Sequence, residues 1–145
     1  MTLNEIVQQI TEFGEKHQII ATTYYGPAMD KLAEADVEYP MFTFDTTGGN
    51  IDGPSLVLNF SMFFFDRLTA DRSNEQDVHS DMLQVAQDII AQLRWPGWEF
   101  TLRAFVPVSL FTDSTPEMLA GANITATLEL PYVSDRCAVP STQTY

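Results

Sequence analysis

The chain is short of cysteine, histidine and positive charge, and each shortage excludes something. Cys137 is the single cysteine in 145 residues, which excludes an internal disulfide. With only two histidines, His17 and His79, there is no group of Cys and His at ligand spacing, so no structural metal site is expected. No apolar run approaches the ~18 residues that a membrane span needs. The N-terminus also lacks the basic and apolar regions of a secretion signal, so a soluble chain made in a cytoplasm is expected. Seven Lys and Arg stand against 20 Asp and Glu, a formal charge of −13. That charge repels phosphate backbones and anionic membranes, so neither DNA wrapping nor membrane binding is expected. Acidity by itself ordinarily marks no more than a solvated surface.

What is present suits one folded unit. A hydrophobic content of 45% and an aromatic content of 12% are those of a globular chain, read as a single α+β domain over 1–132 with a tail over 133–145. Thr2 with Glu5 forms a capping box, and Leu3, Ile6, Val7, Ile10 and Phe13 recur at helical spacing to about Gly14. Residues 18–26 read as a strand or extended segment, and 27–40, bracketed by prolines, as an irregular link with one helical turn. A short strand at 39–46 leads into "TGGNIDGP", whose Gly, Asn, Asp and Pro predict a turn or hairpin tip over 47–54.

The next strand alternates clearly. Leu56, Leu58, Phe60, Met62 and Phe64 share one side of the pleat, and Val57, Asn59, Ser61, Phe63 and Phe65 share the other. Ser73 with Gln76 predicts a second capping box and a helix from about Asn74. Val78, Met82, Val85, Ile89 and Leu93 form its buried line, Leu83, Ala86 and Ile90 widen it, and "RWPGW" ends it, with Arg94 where the dipole favours a cation. Over 98–112 the chain alternates again, with Trp98, Phe100, Leu102, Ala104, Val106, Val108 and Leu110 on one side. Pro107, unable to donate to a ladder, predicts an edge, bulge or bend. Residues 113–122 read as a loop and 123–132 as a last strand with Ile124, Ala126, Leu128 and Leu130 inward. The expected architecture is therefore an antiparallel sheet of about four strands with two helices packed on one face.

No catalytic, metal or cofactor site is expected. His79 lies near Asp77 and Asp81 in sequence, but on a helix it falls on the flank of the buried stripe beside Leu83 and Ala86, while the two carboxylates point elsewhere. Cys137 sits in a proline-bounded tail with no histidine nearby in sequence, the setting of a packed or free thiol. "GGNIDG" has the glycines of a phosphate loop without its Lys, its Ser or Thr, or a following helix. Asp77, Asp81 and Asp88 form an acidic row with no lysine on the helix to pair with, a face that meets either water or arginines on another chain. The outward aromatics Phe63, Phe65, Phe105 and Phe111 are either covered by the N-terminal segment or the tail, or left open as a subunit interface. These seven residues are the candidate interface.

The stretch "FFFDRLTADRSNEQDVHSDMLQVAQDIIAQL", with Asp66-Arg67-Leu68, then Asp71-x-Ser73-Asn74-Glu75, then Val78-x-Ser80-Asp81 on a helix, resembles a motif of small structural proteins of bacteriophages and prophages of Bacteroides-type hosts, crAss-like phages included. The order of elements is similar to phage tail terminators and related neck proteins. The resemblance implies a tail terminator-like fold and a homo-oligomeric ring, a hexamer or dodecamer, in the neck or tail of the virion. It also implies neighbouring neck or tail proteins as partners, with DNA passing through the channel without specific binding. An acidic lining would let the polyanion slide, and the segments 46–54, 112–121 and the tail from 133 would reach adjoining rings. A different class stays open, an acidic soluble binding module or DNA mimic that fills the basic site of a nuclease or repressor.

Overall fold

Helix α1, Leu3–Lys16, begins where the sequence predicts: the Thr2 hydroxyl accepts the Glu5 N–H at 3.2 Å, and the Glu5 carboxylate reaches back to the Thr2 backbone. Its apolar stripe buries Ile6 and Ile10 completely. The computed structural model describes residues 1–34, 37–113, 118–132 and 140. Beyond α1 these form β1 (Thr22–Tyr25), α2 (Ala28–Leu32), β2 (Met41–Asp52), β3 (Ser55–Arg67), α3 (Glu75–Leu93), β4 (Thr101–Leu102), β5 (Val108–Asp113) and β6 (Leu119–Pro131). Cys137 and the rest of the tail, Pro140 apart, lie outside the described residues, as does 114–117 in the expected loop. Among the described residues, no helix is long and apolar enough to cross a membrane.

The α+β class holds, with a larger and mixed sheet. Six strands run in the order β1-β2-β3-β6-β4, and β5 also pairs with β6. The sheet is not wholly antiparallel, because β1 runs parallel to β2, with Thr22 opposite Met41. A parallel pair needs a crossover, and residues 26–40 supply it. Helices α1 and α3 do share one face, burying Ile6, Ile10, Val78, Met82 and Ile89 against Phe42, Phe44, Phe60, Met62 and Phe64. Phe42 and Phe64 stack there at 4.5 Å and 3°. The third helix, α2, lies on the opposite face, where Ala28 and Leu32 pack on Met41, Phe65 and Leu119.

Three local expectations are corrected. The supposed turn at 47–54 is mostly strand: β2 continues to Asp52, and only residues 53–54 turn. Its glycines serve the ladder instead, since the register shifts between Thr46 and Gly48, where φ is +118°, and a Cβ on Gly49 would strike the Val57 carbonyl oxygen. At α3 the N-cap residue is Asn74, with no side-chain cap and no Ser73 capping box. The Asn74 amide turns back into the preceding loop, accepting the Thr69 N–H at 2.9 Å and donating to the Arg67 carbonyl at 3.3 Å. Asp71 in the same loop accepts the Thr69 hydroxyl and the Ser73 N–H, which holds its carboxyl below the usual carboxylate range. Finally, the strand expected over 98–112 is broken into β4 and β5, both antiparallel to β6, with 103–107 leaving the ladder between them.

Candidate subunit interface

Pro107 causes that break. It has no N–H to give, yet its carbonyl accepts the Thr125 N–H at 3.2 Å and so returns the chain to β6. At the other end of the excursion the Arg103 N–H donates to Thr127 O at 2.9 Å. The Arg103 guanidinium meets the Glu129 carboxylate at 2.6 Å, and Arg94 donates to the Ala104 carbonyl at 3.0 Å. A short loop pinned at both ends results, and Phe105 at its crest is 82% exposed.

Strand β5 then forms an edge of the sheet, paired with β6 on one side and with no strand on the other among the described residues. Its register sets Val108 opposite Ile124 and Leu110 opposite Ala122, so both side chains project on the face that carries α3. Helix α3 packs mainly on β6 and β3 and only flanks β5, and Val108 and Leu110 each stay 52% exposed. Between helix and strand lies an apolar groove of ≈160 Å³, floored by Ala86 and Ile124 and walled by Leu83, Ile90, Val106 and Val108. His79 links the helix to this strand: a carbonyl only accepts, so His79 Nε2 bears the proton and donates to Phe111 O at 2.9 Å, with the Thr112 hydroxyl 3.2 Å away. His79 is thus a brace from α3 to β5.

The four candidate phenylalanines separate. Phe65 is 2% exposed. Phe111 leans edge-on against Phe63 and Phe65 at 5.9 and 6.4 Å, and Tyr39 closes on Phe65 at 6.3 Å. With Met41, Leu119, Ala28, Leu32, Val37 and Tyr39 they make a second, smaller core. Phe65 is therefore removed from the candidate interface, and Phe63 and Phe111 are half-covered, because Ala28, Leu32, Val37 and Tyr39 pack on the same cluster. Phe105 alone of the four is free.

The acidic row separates as well. Asp77 and Asp81 are exposed on α3, but Asp88 turns to the end of α1, where His17 Nε2 lies 2.9 Å from its carboxylate and Gln84 donates from 3.2 Å. The His17 bond, reinforced by Gln84, holds the Asp88 carboxyl below its ordinary range. His17 Nδ1 accepts the Ile19 N–H at 3.1 Å, so the proton shared with Asp88 sits on Nε2. The depression beside this pair, lined by Lys16, Gln18 and Gln92 among others, is wide and open. No group of three or more His, Cys, Asp or Glu is placed to hold a metal among the described residues.

Leu83, Ile90, Val106 and Val108 were not among the sequence candidates as a surface, since periodicity assigns them to the core. For Val106 and Val108 a signal does exist: residues 100–112 contain no Asp or Glu in a chain that has 20. Compared with protein-family models and with curated proteins, the sequence matches none.

Proposed function

We propose that this chain is a structural protein of a bacteriophage virion that assembles as a homo-oligomeric ring in the neck or tail, in a tail terminator or head-tail connector role around the DNA channel. The observation that supports this reading is the edge of the sheet: an open strand, β5, flanked by the exposed Phe105, Val108 and Leu110 and free of carboxylates from 100 to 112. Unpaired strand edges and contiguous apolar surface are what proteins ordinarily cover when they work alone. Burying one Phe of this kind contributes ~1.5–3 kcal/mol, enough for a few such residues to anchor a contact between copies. The chain as a whole carries a charge of −13 per copy, which keeps a passing polyanion from adhering.

Among the described residues His79 is engaged with the Phe111 carbonyl and His17 with Asp88. The mimic of nucleic acid fares worse than the ring on one count. With Asp88 occupied by His17, Asp77 and Asp81 are what is left of the acidic row facing solvent. Electron microscopy of the purified protein tests the proposal, with closed rings of uniform copy number as the expected result. Dispersed single copies at every concentration, together with absence of the chain from purified particles, would overturn it.

A further inference from the structure

The link from α1 into β1 is held by a side chain that can change charge. His17 closes the end of α1, its own N–H donating to Gly14 O at 3.2 Å. Its side chain is 10% exposed and both of its nitrogens are used: Nε2 donates to Asp88 on α3 at 2.9 Å, and Nδ1 accepts the Ile19 N–H at 3.1 Å. A neutral imidazole has one donor and one acceptor, and here each is matched. An imidazolium has two donors and no acceptor, so it keeps the bond to Asp88 and loses the one from Ile19. Turning the imidazole over does not restore that bond, because both nitrogens then carry protons.

We infer that His17 is a proton-operated latch on residues 18–20: neutral, it holds the Ile19 amide, and charged, it releases that amide while strengthening its bond to Asp88. The inference is independent of the assembly proposed above. Imidazole is the side chain whose charge ordinarily changes within the physiological range, and the groups that face it here keep theirs. Asp88 is the acid lining the site, and its carboxyl, held below the usual range, stays ionised where imidazoles titrate. Lys16, on the lip of the depression, is the other charged group there, and Gln18, Gln84 and Gln92 are neutral. The release is short because backbone bonds close it at both ends, the His17 N–H on Gly14 O before it and the Ala21 N–H on Pro40 O, at 2.8 Å, after it. Ile20, 8% exposed, stays in the core, and Ile19, 50% exposed, carries the change. The stretch leads directly into β1, the strand at one end of the sheet. A proton taken up at His17 therefore loosens the approach to that edge and leaves α1 and α3 joined.

Amide hydrogen exchange and imidazole titration, both followed by NMR on the full chain from pH 8 to pH 5, test this. Protection of the Ile19 amide is expected to fall by about fivefold or more, the ordinary worth of one hydrogen bond, with the same midpoint as the His17 imidazole. The Ala21 amide is expected to keep its protection. Asp88→Asn, which leaves an uncharged acceptor for Nε2, is expected to move both midpoints by the same amount. His17→Phe is expected to leave the Ile19 amide unprotected at every pH. Ile19 protection that stays constant while His17 titrates, a midpoint that follows another group, or a His17 imidazole that remains neutral down to pH 5 overturns the latch.

Discussion

The His79 imidazole donates to the Phe111 carbonyl across 2.9 Å, joining α3 to the edge strand β5. Among the described residues strand β5 has one neighbouring strand, and this bond ties it to the helix as well. His79→Ala is expected to lower stability by about 1 kcal/mol, the net worth of one such bond. The same change is expected to increase hydrogen exchange at the β5 amides more than at those of β3. Urea titration and exchange measurements check the two effects together.

Phe65 and Phe105 are both phenylalanines that sequence alternation turns away from the main core, and the structure makes them opposites. Phe65→Ala empties the second core and is expected to cost about 3–5 kcal/mol. Phe105→Ala removes a side chain already in solvent and is expected to leave the unfolding of the monomer within about 0.5 kcal/mol of the parent. Denaturation of both variants at low protein concentration distinguishes them.

Gly121 on β6 faces the Phe64 backbone, and a Cβ there would run into the Phe64 carbonyl oxygen. Because backbone has to yield instead of a flexible side chain, Gly121→Ala is expected to destabilise by at least about 1–3 kcal/mol. Gly53, with nothing within 4 Å but a φ of +56°, provides the contrast. There the same change adds only backbone strain, of about 1 kcal/mol. Thermal melts rank the pair.

The carboxyl of Asp88 is held low by the proton that His17 donates. A depressed folded value means that the stabilisation is complete above the unfolded carboxylate value of about 3.9 and is lost as pH falls through the folded value below it. Asp88→Asn is therefore expected to flatten the stability profile below about pH 4. At neutral pH it is expected to cost less than about 1 kcal/mol, the site being half open to solvent. Urea midpoints taken from pH 2.5 to pH 7 give the comparison.

Much of the fold is legible from periodicity because burial enforces it. The buried line Val78, Met82, Val85, Ile89 and Leu93 appears on α3 as read, and so do the two sides of β3. The Thr2 and Glu5 cap is legible because both partners are local. What escapes depends on contacts distant in sequence. Gly48 and Gly49 look like a turn until Val57 is seen pressing on them, and Asn74 takes the N-cap position because Thr69 and Arg67 engage its amide. The parallel pairing of β1 leaves no local trace, and with it the cover over Phe63 and Phe65 is hidden. The candidate interface is half legible: Phe105 stands out by alternation, whereas the groove needs α3 and β5 placed side by side.

The most direct measurement is molar mass by light scattering over a wide range of protein concentration. Self-association through the β5 edge predicts an assembly whose mass is a whole multiple of the 16.3 kDa chain, falling apart when Phe105 becomes Asp. A mass of 16.3 kDa at every concentration, with that edge left bare in solution, would contradict it.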